Sequence, residues 1–213
     1  MKLSKTSNKN KKTGGDKVEH YFTDNPPKKH DRRAIPFRFL GIELELISDN
    51  GVFSKDHVDY GTKLLIQSAH EMLLDGSLLD LGCGYGVIGL TLKKLHENLS
   101  VTGVDINSYA VELAQENAKI NHLDVNFIHQ DGIEGLSKFD TILLNPPIRA
   151  GKKNIYRLFK EASEHITKEG QLLIVMRKQH GATSAMEYLK DFFSEVKRLK
   201  RDKGYWIIQC INN

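Results

Sequence analysis

A short apolar run followed at once by closely spaced glycines constrains this chain more than any other feature of its sequence. The run Leu78–Leu81 leads into Gly82, Gly84 and Gly86, and the apolar spacing of a helix begins at Val87. Glycine permits a tight backbone turn and a close approach to a ligand, where a Cβ atom would clash. A strand, a glycine turn and a helix in this order form the first half of a parallel β-α-β unit. The rest of the chain is therefore expected to supply the further strands and helices of a layered sheet.

The hydrophobic pattern on either side of this turn alternates between strands and helices. Such alternation predicts an α/β fold, in which a mostly parallel sheet carries helices on both faces and the crossovers are right-handed. A final hairpin around Lys203-Gly204 adds one antiparallel strand, which makes seven strands in the sheet. The predicted strands are 78–81, 101–106, 125–129, 141–144, 171–176, 195–200 and 205–211, and the predicted helices are 59–74, 87–96, 110–121, one that ends near 165, and 182–193.

The N-terminal part of the chain differs in charge from the rest. Residues 1–38 hold 11 Lys and Arg against 4 Asp and Glu, whereas the remaining residues hold 20 against 23. We predict a disordered basic tail at 1–17, a basic arm with a small β-hairpin around Gly41 at 18–58, and the α/β domain at 59–213. A basic arm favours a polyanionic partner, and a solubilising tail is the alternative for the first residues.

Composition excludes several classes of protein. The chain of 213 residues is long enough to bury a core without disulfides or a metal. Its two cysteines, Cys83 and Cys210, lie far apart, and its nine histidines form no ligand pattern, so we expect no metal and a reducing, cytoplasmic setting. No apolar stretch approaches the ~18–20 residues of a membrane span. The sequence leaves the oligomeric state open, with a monomer as a plausible state.

The glycine loop is compatible with two kinds of cofactor. Gly84-x-Gly86-x-x-Gly89 matches the dinucleotide fingerprint, and Asp105 follows at the expected distance, so a nicotinamide or flavin enzyme is one alternative. However, Asp80 ends the strand just before the loop. A carboxylate there is unfavourable beside a pyrophosphate, which binds bare helix N-terminal amides, but it suits a ligand that carries an ammonium group.

The pattern Asp80-x-Gly82-x-Gly84-x-Gly86 resembles motif I of the class I S-adenosylmethionine-dependent methyltransferases, which have a Rossmann-like fold. The resemblance implies that the loop, with Cys83, backs the amino-acid end of S-adenosylmethionine. It also implies that Asp105 holds the ribose hydroxyls, that Ile106 lies against the adenine, and that the acid of Asp131-Gly132 meets the adenine amino group. The alternative for the two acids is that they only terminate strands or cap helices.

A second motif follows the fourth predicted strand. Asn145-Pro146-Pro147-Ile148 resembles the N-P-P-x motif with which class I methyltransferases modify planar amino or amide nitrogens. The side-chain oxygen of Asn145 and the carbonyl of Pro146 would accept the two hydrogens of an exocyclic amino group, and the prolines would stiffen this arrangement. Ile148 stands where many relatives have an aromatic residue, so it offers an apolar contact without a π-face. Phe53 is a candidate for a supplementary stacking platform, with a place in the core as the alternative.

Three stretches resemble the 16S ribosomal RNA (guanine-N2) methyltransferase C family. They are 51–54 together with 59–65, then 145–152, and the opening His20-Tyr21-Phe22 with the basic arm that follows it. This resemblance implies methylation of guanine N2 in 16S rRNA, with ribosomal RNA or the small subunit as partner. It places Asp59, Gly61 and Thr62 near the methionine end of the cofactor. It further implies that cations contact RNA phosphate, namely Arg149 and Lys152 beside the motif and Lys28, Lys29, Arg32 and Arg33 in the arm; a solvated helix start is the alternative for Arg149 and Lys152.

Other acceptors share the chemistry of that motif. Adenine N6 in RNA or DNA and the glutamine side chain of a protein also present a planar amino group, and the basic arm favours a nucleic acid among them. A non-catalytic RNA-binding module on the same fold is a further alternative. The cofactor residues implied by resemblance are Asp59, Gly61, Thr62, Asp80, Gly82, Cys83, Gly84, Gly86, Asp105, Ile106, Asp131, Gly132 and Asn145.

Overall fold

The N-terminal hairpin forms a small sheet of its own. The computed structural model describes residues 30–52, 54, 56–72 and 74–212. Strands β1 (Arg33–Phe39) and β2 (Ile42–Ser48) pair antiparallel. Leu40 and Gly41 connect them with φ values of +50° and +81°, as a two-residue turn between twisted strands requires. The predicted hairpin is therefore confirmed, whereas the predictions for residues 1–29 and Phe53 lie outside the described residues.

The remaining elements alternate as the hydrophobic pattern predicts. In chain order they are α1 (Tyr60–Glu71), β3 (Ser77–Leu81), α2 (Val87–Leu95), β4 (Ser100–Asp105), α3 (Ser108–Ile120), β5 (Asn126–His129), β6 (Phe139–Leu144), α4 (Lys152–Glu164), β7 (Ile166–Arg177), α5 (Ala182–Leu189), β8 (Glu195–Asp202) and β9 (Tyr205–Ile211). The seven strands of the main sheet stand in the order β5-β4-β3-β6-β7-β9-β8. β9 runs antiparallel to both of its neighbours, and the other pairs are parallel, which confirms the predicted fold class.

Both faces of this sheet are covered by helices. Helices α1, α2 and α3 pack on one face, where Leu65, Leu90 and Leu113 belong to one apolar cluster. Helices α4 and α5 pack on the other face, where Phe159 and Leu189 belong to a second cluster. Strands buried on both faces need nearly continuous apolar sequence, which explains runs such as the one in β6. No helix in the described part of the chain is long and apolar enough to cross a membrane.

Two element boundaries differ from the sequence-based predictions by four residues or more. β7 begins at Ile166 instead of 171, because Ile166 pairs with Phe139 across an irregularity in the ladder, ahead of the polar residues 167–170. Helix α5 ends at Leu189 instead of 193. The apolar spacing continues to Phe193, whose side chain is buried against the second cluster from a turn after the helix. Apolar periodicity alone does not distinguish such a turn from a further helical turn.

The topology concentrates strand ends at one place. From β3 the chain builds outward through β4 and β5 on one side and returns to β6 and β7 on the other. In open α/β sheets, ligands bind outside the carboxyl ends of the strands at such a switch point. The glycine turn after β3, the acid at the end of β4 and the Asn-Pro-Pro segment after β6 all lie at this edge.

Candidate active site

A cavity of about 930 Å³ lies at the carboxyl edge of the sheet. This volume is in the range that holds a cofactor together with part of a substrate. Most of the residues that the sequence predicts for the site contribute to its lining. They are Asp59, Thr62, Gly82, Cys83, Gly84, Asp105, Ile106, Asp131, Gly132, Asn145, Pro146, Pro147, Ile148 and Arg149.

Several predicted residues lie outside this lining, and among them is Asp80, whose side chain is fully buried in β3. Gly61 is in the first turn of α1, where a Cβ atom would come within 2.8 Å of the Tyr205 ring. Gly86 has a φ of +90°, and a Cβ atom there would lie 2.9 Å from Phe127. These two glycines therefore serve the turn and its packing. Lys152 begins α4 with its Nζ 4.8 Å from the centroid of the Tyr156 ring.

The glycine loop presents bare backbone to the cavity. Gly82 and Gly84 have φ values of +72° and +55°, and a Cβ atom on either would meet nothing within 4 Å. Asp105 ties this loop to the end of β4. Its Oδ2 accepts a hydrogen bond from the Gly84 N–H at 2.8 Å, and its Oδ1 accepts one from the Asn107 N–H at 2.8 Å. A carboxylate offers about four lone-pair sites, so Asp105 retains acceptor capacity for the hydroxyls of a ligand.

Burial affects the ionisation of two acids at the site, Asp80 near the end of β3 and Asp105 at the end of β4. It raises the pKa of Asp80 to about 7, against the effect of the hydrogen bond that the Gly89 N–H donates to Oδ2 at 3.0 Å. It also raises the pKa of Asp105. The Oδ1 atom of Asp80 is buried without a hydrogen-bond partner among the described residues. An unpaired buried carboxylate oxygen is costly, so this end of the site fits a ligand whose ammonium group supplies a donor, directly or through water.

The Asn-Pro-Pro segment leaves β6 and turns through a short 3-10 helix, Ile148–Ala150, before α4 begins. Asn145 is half-buried and donates a hydrogen bond from Nδ2 to Thr62 Oγ1 at 3.0 Å. The Thr62 hydroxyl lies 2.5 Å from Asp59 Oδ2, and Asp59 is the N-cap residue of α1. The first turn of α1 thus fixes the Asn145 side chain at the wall of the cavity.

Asp131 forms an ion pair at the rim. Its Oδ1 accepts a hydrogen bond from Arg157 Nη2 at 2.5 Å, and Arg157 also donates from Nη1 to Glu161 at 2.7 Å. Gly132, beside this pair, has a φ of +83°, which favours glycine, and a Cβ atom on it would displace the Glu161 carboxylate. Asp131 therefore lies at the cavity with one oxygen committed to Arg157.

The described part of the basic arm is pinned to the body. Arg32 pairs with Glu116, and Arg33 pairs with Asp31 and Asp56, so both predicted RNA contacts are engaged in surface ion pairs. Neither arginine lines the cavity, although Asp56 does. Lys28 and Lys29 lie outside the described residues.

Asp49 anchors the start of this arm. It accepts hydrogen bonds from the Tyr109 hydroxyl and the Asp31 N–H, both at 2.5 Å, and lies 2.7 Å from His30 Nδ1. Burial alone would raise the pKa of Asp49, but these hydrogen bonds outweigh it and lower the pKa to about 2.

The sequence and the fold both match those of known proteins. The family model of the methyltransferase small domain matches residues 43–209. This chain belongs to that family. The methyltransferase is 41% identical over 196 residues to an uncharacterized protein of Bacillus subtilis, YbxB, a match that covers 90% of this chain and 98% of the relative.

Relatives with an assigned substrate are about twice as long as this methyltransferase. The ribosomal RNA small subunit methyltransferase C of Photobacterium profundum is 36% identical over 67% of this chain and 43% of its own length. The protein of the same name from Haemophilus influenzae is 37% identical over 80% of this chain and 52% of its own. A structure of the T. thermophilus 16S rRNA N2 methyltransferase RsmC, in complex with AdoMet and guanosine, superposes with a TM-score of 0.79 at 27% identity and covers 88% of this chain and 52% of that chain. The chain thus spans about half the length of these relatives.

The methyl donor of this methyltransferase is S-adenosylmethionine, as in the family and in the structural neighbour. The cavity lining and the buried residue Asp80 next to it have the chemistry that this cofactor requires. A buried acid lacks one donor at the glycine loop, an acid with spare acceptor sites ends β4, and the loop between them carries no side chain at Gly82 or Gly84.

The cavity of this methyltransferase is also lined by residues that the sequence motifs did not indicate. Arg177, at the end of β7, places its guanidinium 4.6 Å over the ring of Tyr205, the first residue of β9, and both line the cavity with His180. They meet because Arg177 and Tyr205 are cross-strand partners in the β7–β9 ladder. No short sequence motif marks them, and the register of a terminal hairpin is needed to find them.

Proposed function

We propose that this methyltransferase transfers the methyl group of S-adenosylmethionine to the N2 amino group of a guanine in 16S ribosomal RNA. The position of Asn145-Pro146-Pro147 in the cavity lining, facing the same space as the glycine loop and Asp105, is the observation that carries the proposal. The names of the relatives and the guanosine held by the structural neighbour support guanine as the acceptor.

The residues of the site would activate the acceptor by orienting it. An exocyclic amino group is a weak nucleophile, because its lone pair is delocalised into the ring. Asn145 Oδ1 and the Pro146 carbonyl would accept its two hydrogens and turn the lone pair toward the methyl group. When bound, S-adenosylmethionine supplies an electrophilic methyl on a sulfonium centre. The new nitrogen–carbon bond would form as the sulfur–carbon bond breaks, and the nitrogen would lose its extra proton to solvent. Preorganised acceptors and proximity provide the rate enhancement.

Six of the predicted cofactor residues would contact different parts of the cofactor. Asp105 would accept from the ribose hydroxyls, Ile106 would lie against the adenine, and Asp131 would use its second oxygen for the adenine amino group. Asp80 would balance the ammonium group of the methionine end. The bare backbone of Gly82 and Gly84 would let this end of the cofactor approach the strand edge.

Cations beside the cavity support a nucleic acid as the substrate. Arg149 is exposed, lines the cavity and has no acidic partner among the described residues. Arg177, at the end of the neighbouring strand β7, also lines the cavity. Lys178 and Lys203 are exposed next to it, where the Lys178 N–H donates to the Gly204 carbonyl at 3.0 Å. Such cations would meet phosphates, and Ile148 and Tyr205 offer surface for a base.

The test is transfer of labelled methyl groups to a panel of acceptors. Wild-type protein and Asn145→Ala would be given 30S subunits, naked 16S rRNA, tRNA, DNA and total protein, and the labelled nucleoside would be identified. We expect N2-methylguanosine from rRNA with the wild type. Asn145→Ala should lose transfer by at least about 100-fold and keep its affinity for the cofactor, since the hydrogen bond that it removes acts in the transition state.

A second variant separates cofactor binding from acceptor activation. Asp105→Ala should weaken S-adenosylmethionine binding in calorimetry, because it removes the ribose acceptor and releases the Gly84 N–H. Label in adenine or in a protein glutamine would overturn the guanine assignment and keep the mechanism. Full turnover by Asn145→Ala would overturn the mechanism itself.

A further inference from the structure

Three polar side chains that line the cavity form a continuous hydrogen-bonded chain. Asp59 lies at the N-terminus of α1, Thr62 in its first turn, and Asn145 at the end of β6. The Thr62 hydroxyl is 2.5 Å from Asp59 Oδ2, and Asn145 Nδ2 is 3.0 Å from Thr62 Oγ1. Thr62 is 6% exposed, so water does not readily replace these contacts.

The direction of each hydrogen bond follows from the chemistry of the groups. Asp59 Oδ1 accepts from the N–H groups of Gly61 and Thr62, at 2.9 and 3.2 Å, which is the arrangement of an N-cap carboxylate. An ionised carboxylate only accepts, so the single proton of the Thr62 hydroxyl must point to Asp59 Oδ2. Thr62 Oγ1 then presents only lone pairs to Asn145.

The amide of Asn145 therefore has one satisfactory orientation. Its NH2 group must face Thr62, and its Oδ1 atom faces away from Thr62, with no partner among the described residues. The opposite orientation would place two acceptors, Oδ1 and Thr62 Oγ1, against each other. It would also turn the Asn145 NH2 group toward the target amino group, so that donors would face donors and no acceptor would be available.

We propose that Asp59 and Thr62 are positioning residues that hold the Asn145 carboxamide with its oxygen toward the amino group to be methylated. The inference rests on the proposed N-methyl transfer and deepens it. It also assigns Thr62 a role different from the cofactor contact implied by resemblance, because its proton and one of its lone pairs are already used within the protein.

The first experiment compares Thr62→Val with Thr62→Ser. Valine has nearly the same shape but no hydroxyl, whereas serine keeps the hydroxyl and loses a methyl group. With saturating acceptor, we expect Thr62→Val to lower kcat by about 10- to 100-fold, as a misplaced catalytic group does, and Thr62→Ser to restore most of it. The affinity for S-adenosylmethionine should stay within about twofold in both variants, since neither changes the glycine loop or Asp105.

Asp59→Asn provides a second variant that keeps the helix cap, because asparagine is as good an N-cap residue as aspartate. Its amide nitrogen could donate to Thr62 Oγ1, which would turn the hydroxyl proton toward Asn145 and favour the wrong amide orientation. We expect kcat to fall as in Thr62→Val. In an Asn145→Ala background, neither substitution should cause a further loss, because the chain acts only through Asn145.

A spectroscopic readout makes the test independent of the acceptor. The Asn145 side-chain NH2 resonances, assigned by their disappearance in Asn145→Ala, should show hydrogen-exchange protection that Thr62→Val abolishes and Thr62→Ser retains. Equal protection in Thr62→Val and wild type would overturn the proposal, as would a loss of cofactor affinity that accounts for the whole loss of turnover. If the wild type methylates no rRNA, the proposed function fails, and the resonances still decide whether the chain positions Asn145.

Discussion

Asp80 is a buried carboxylate that changes its charge near neutral pH. Because its pKa is raised to about 7, it is largely protonated at pH 6 and largely ionised at pH 8. If its charge balances the ammonium group of S-adenosylmethionine, cofactor affinity should rise about tenfold over this range, as the titration of one group allows. Calorimetric titrations at several pH values measure this. Asp80→Asn should bind weakly with a flat profile, and a steep profile in that variant would exclude Asp80 as its source.

The same residue should give folding the opposite pH dependence in the absence of cofactor. A carboxyl group with a raised pKa binds a proton more tightly in the folded chain than in the unfolded chain. Its contribution to stability is therefore complete below pH ~4 and is lost as pH rises toward 7, by up to about 1.4 kcal/mol per pH unit. Urea unfolding at pH 5 and pH 7.5 would detect a lower free energy of unfolding at the higher pH. The difference should shrink in Asp80→Asn.

At the level of an element, the glycine loop can be tested against a hairpin turn with the same backbone requirement. Gly84 and Gly41 both have a positive φ, and a Cβ atom at either would meet no neighbour within 4 Å. Replacing either glycine by alanine should therefore lower the free energy of unfolding by about 1–2 kcal/mol, through backbone strain. Gly84→Ala should in addition place its methyl group in the cavity and weaken S-adenosylmethionine binding at least about tenfold. Gly41→Ala should bind normally, and equal affinities in calorimetry would contradict a cofactor role for the loop.

Elements and motifs differ in how far the sequence predicts them. The order of strands and helices follows from local hydrophobic periodicity, and the glycine loop and Asn-Pro-Pro segment follow from residue types at short spacing. The wall formed by Arg177 and Tyr205 depends on a pairing between residues 28 positions apart, which no local pattern encodes. Likewise, two asparagines at the C-terminal end of α3 dock the hairpin: Asn117 bonds both backbone groups of Ile47 and the Tyr85 carbonyl, and Asn121 bonds both backbone groups of Glu45. Such contacts arise from the assembled fold.

On the scale of the whole molecule, the basic arm joins the body at the edge of the sheet that holds the cavity. His30 contacts Asp49, which follows β2, and Tyr109, which lies in the first turn of α3 just beyond the carboxyl end of β4. Val52, Ser54 and Asp56, which follow the hairpin, line the cavity itself. His30, where the described part of the arm begins, therefore lies near the edge of the sheet that holds the cavity.

This placement predicts how salt affects binding to RNA. Residues 1–29 carry eight lysines. Changing all of them to glutamine should weaken rRNA binding and flatten the plot of log affinity against log salt concentration by roughly 0.7–0.9 for each RNA phosphate that is no longer neutralised. S-adenosylmethionine affinity should not change. Lys94 and Lys119, exposed near the C-terminal ends of α2 and α3 at the opposite edge of the sheet, provide the control, and their replacement should leave the slope intact. An unchanged slope in the eight-lysine variant would mean that RNA is held by the cations of the cavity rim alone.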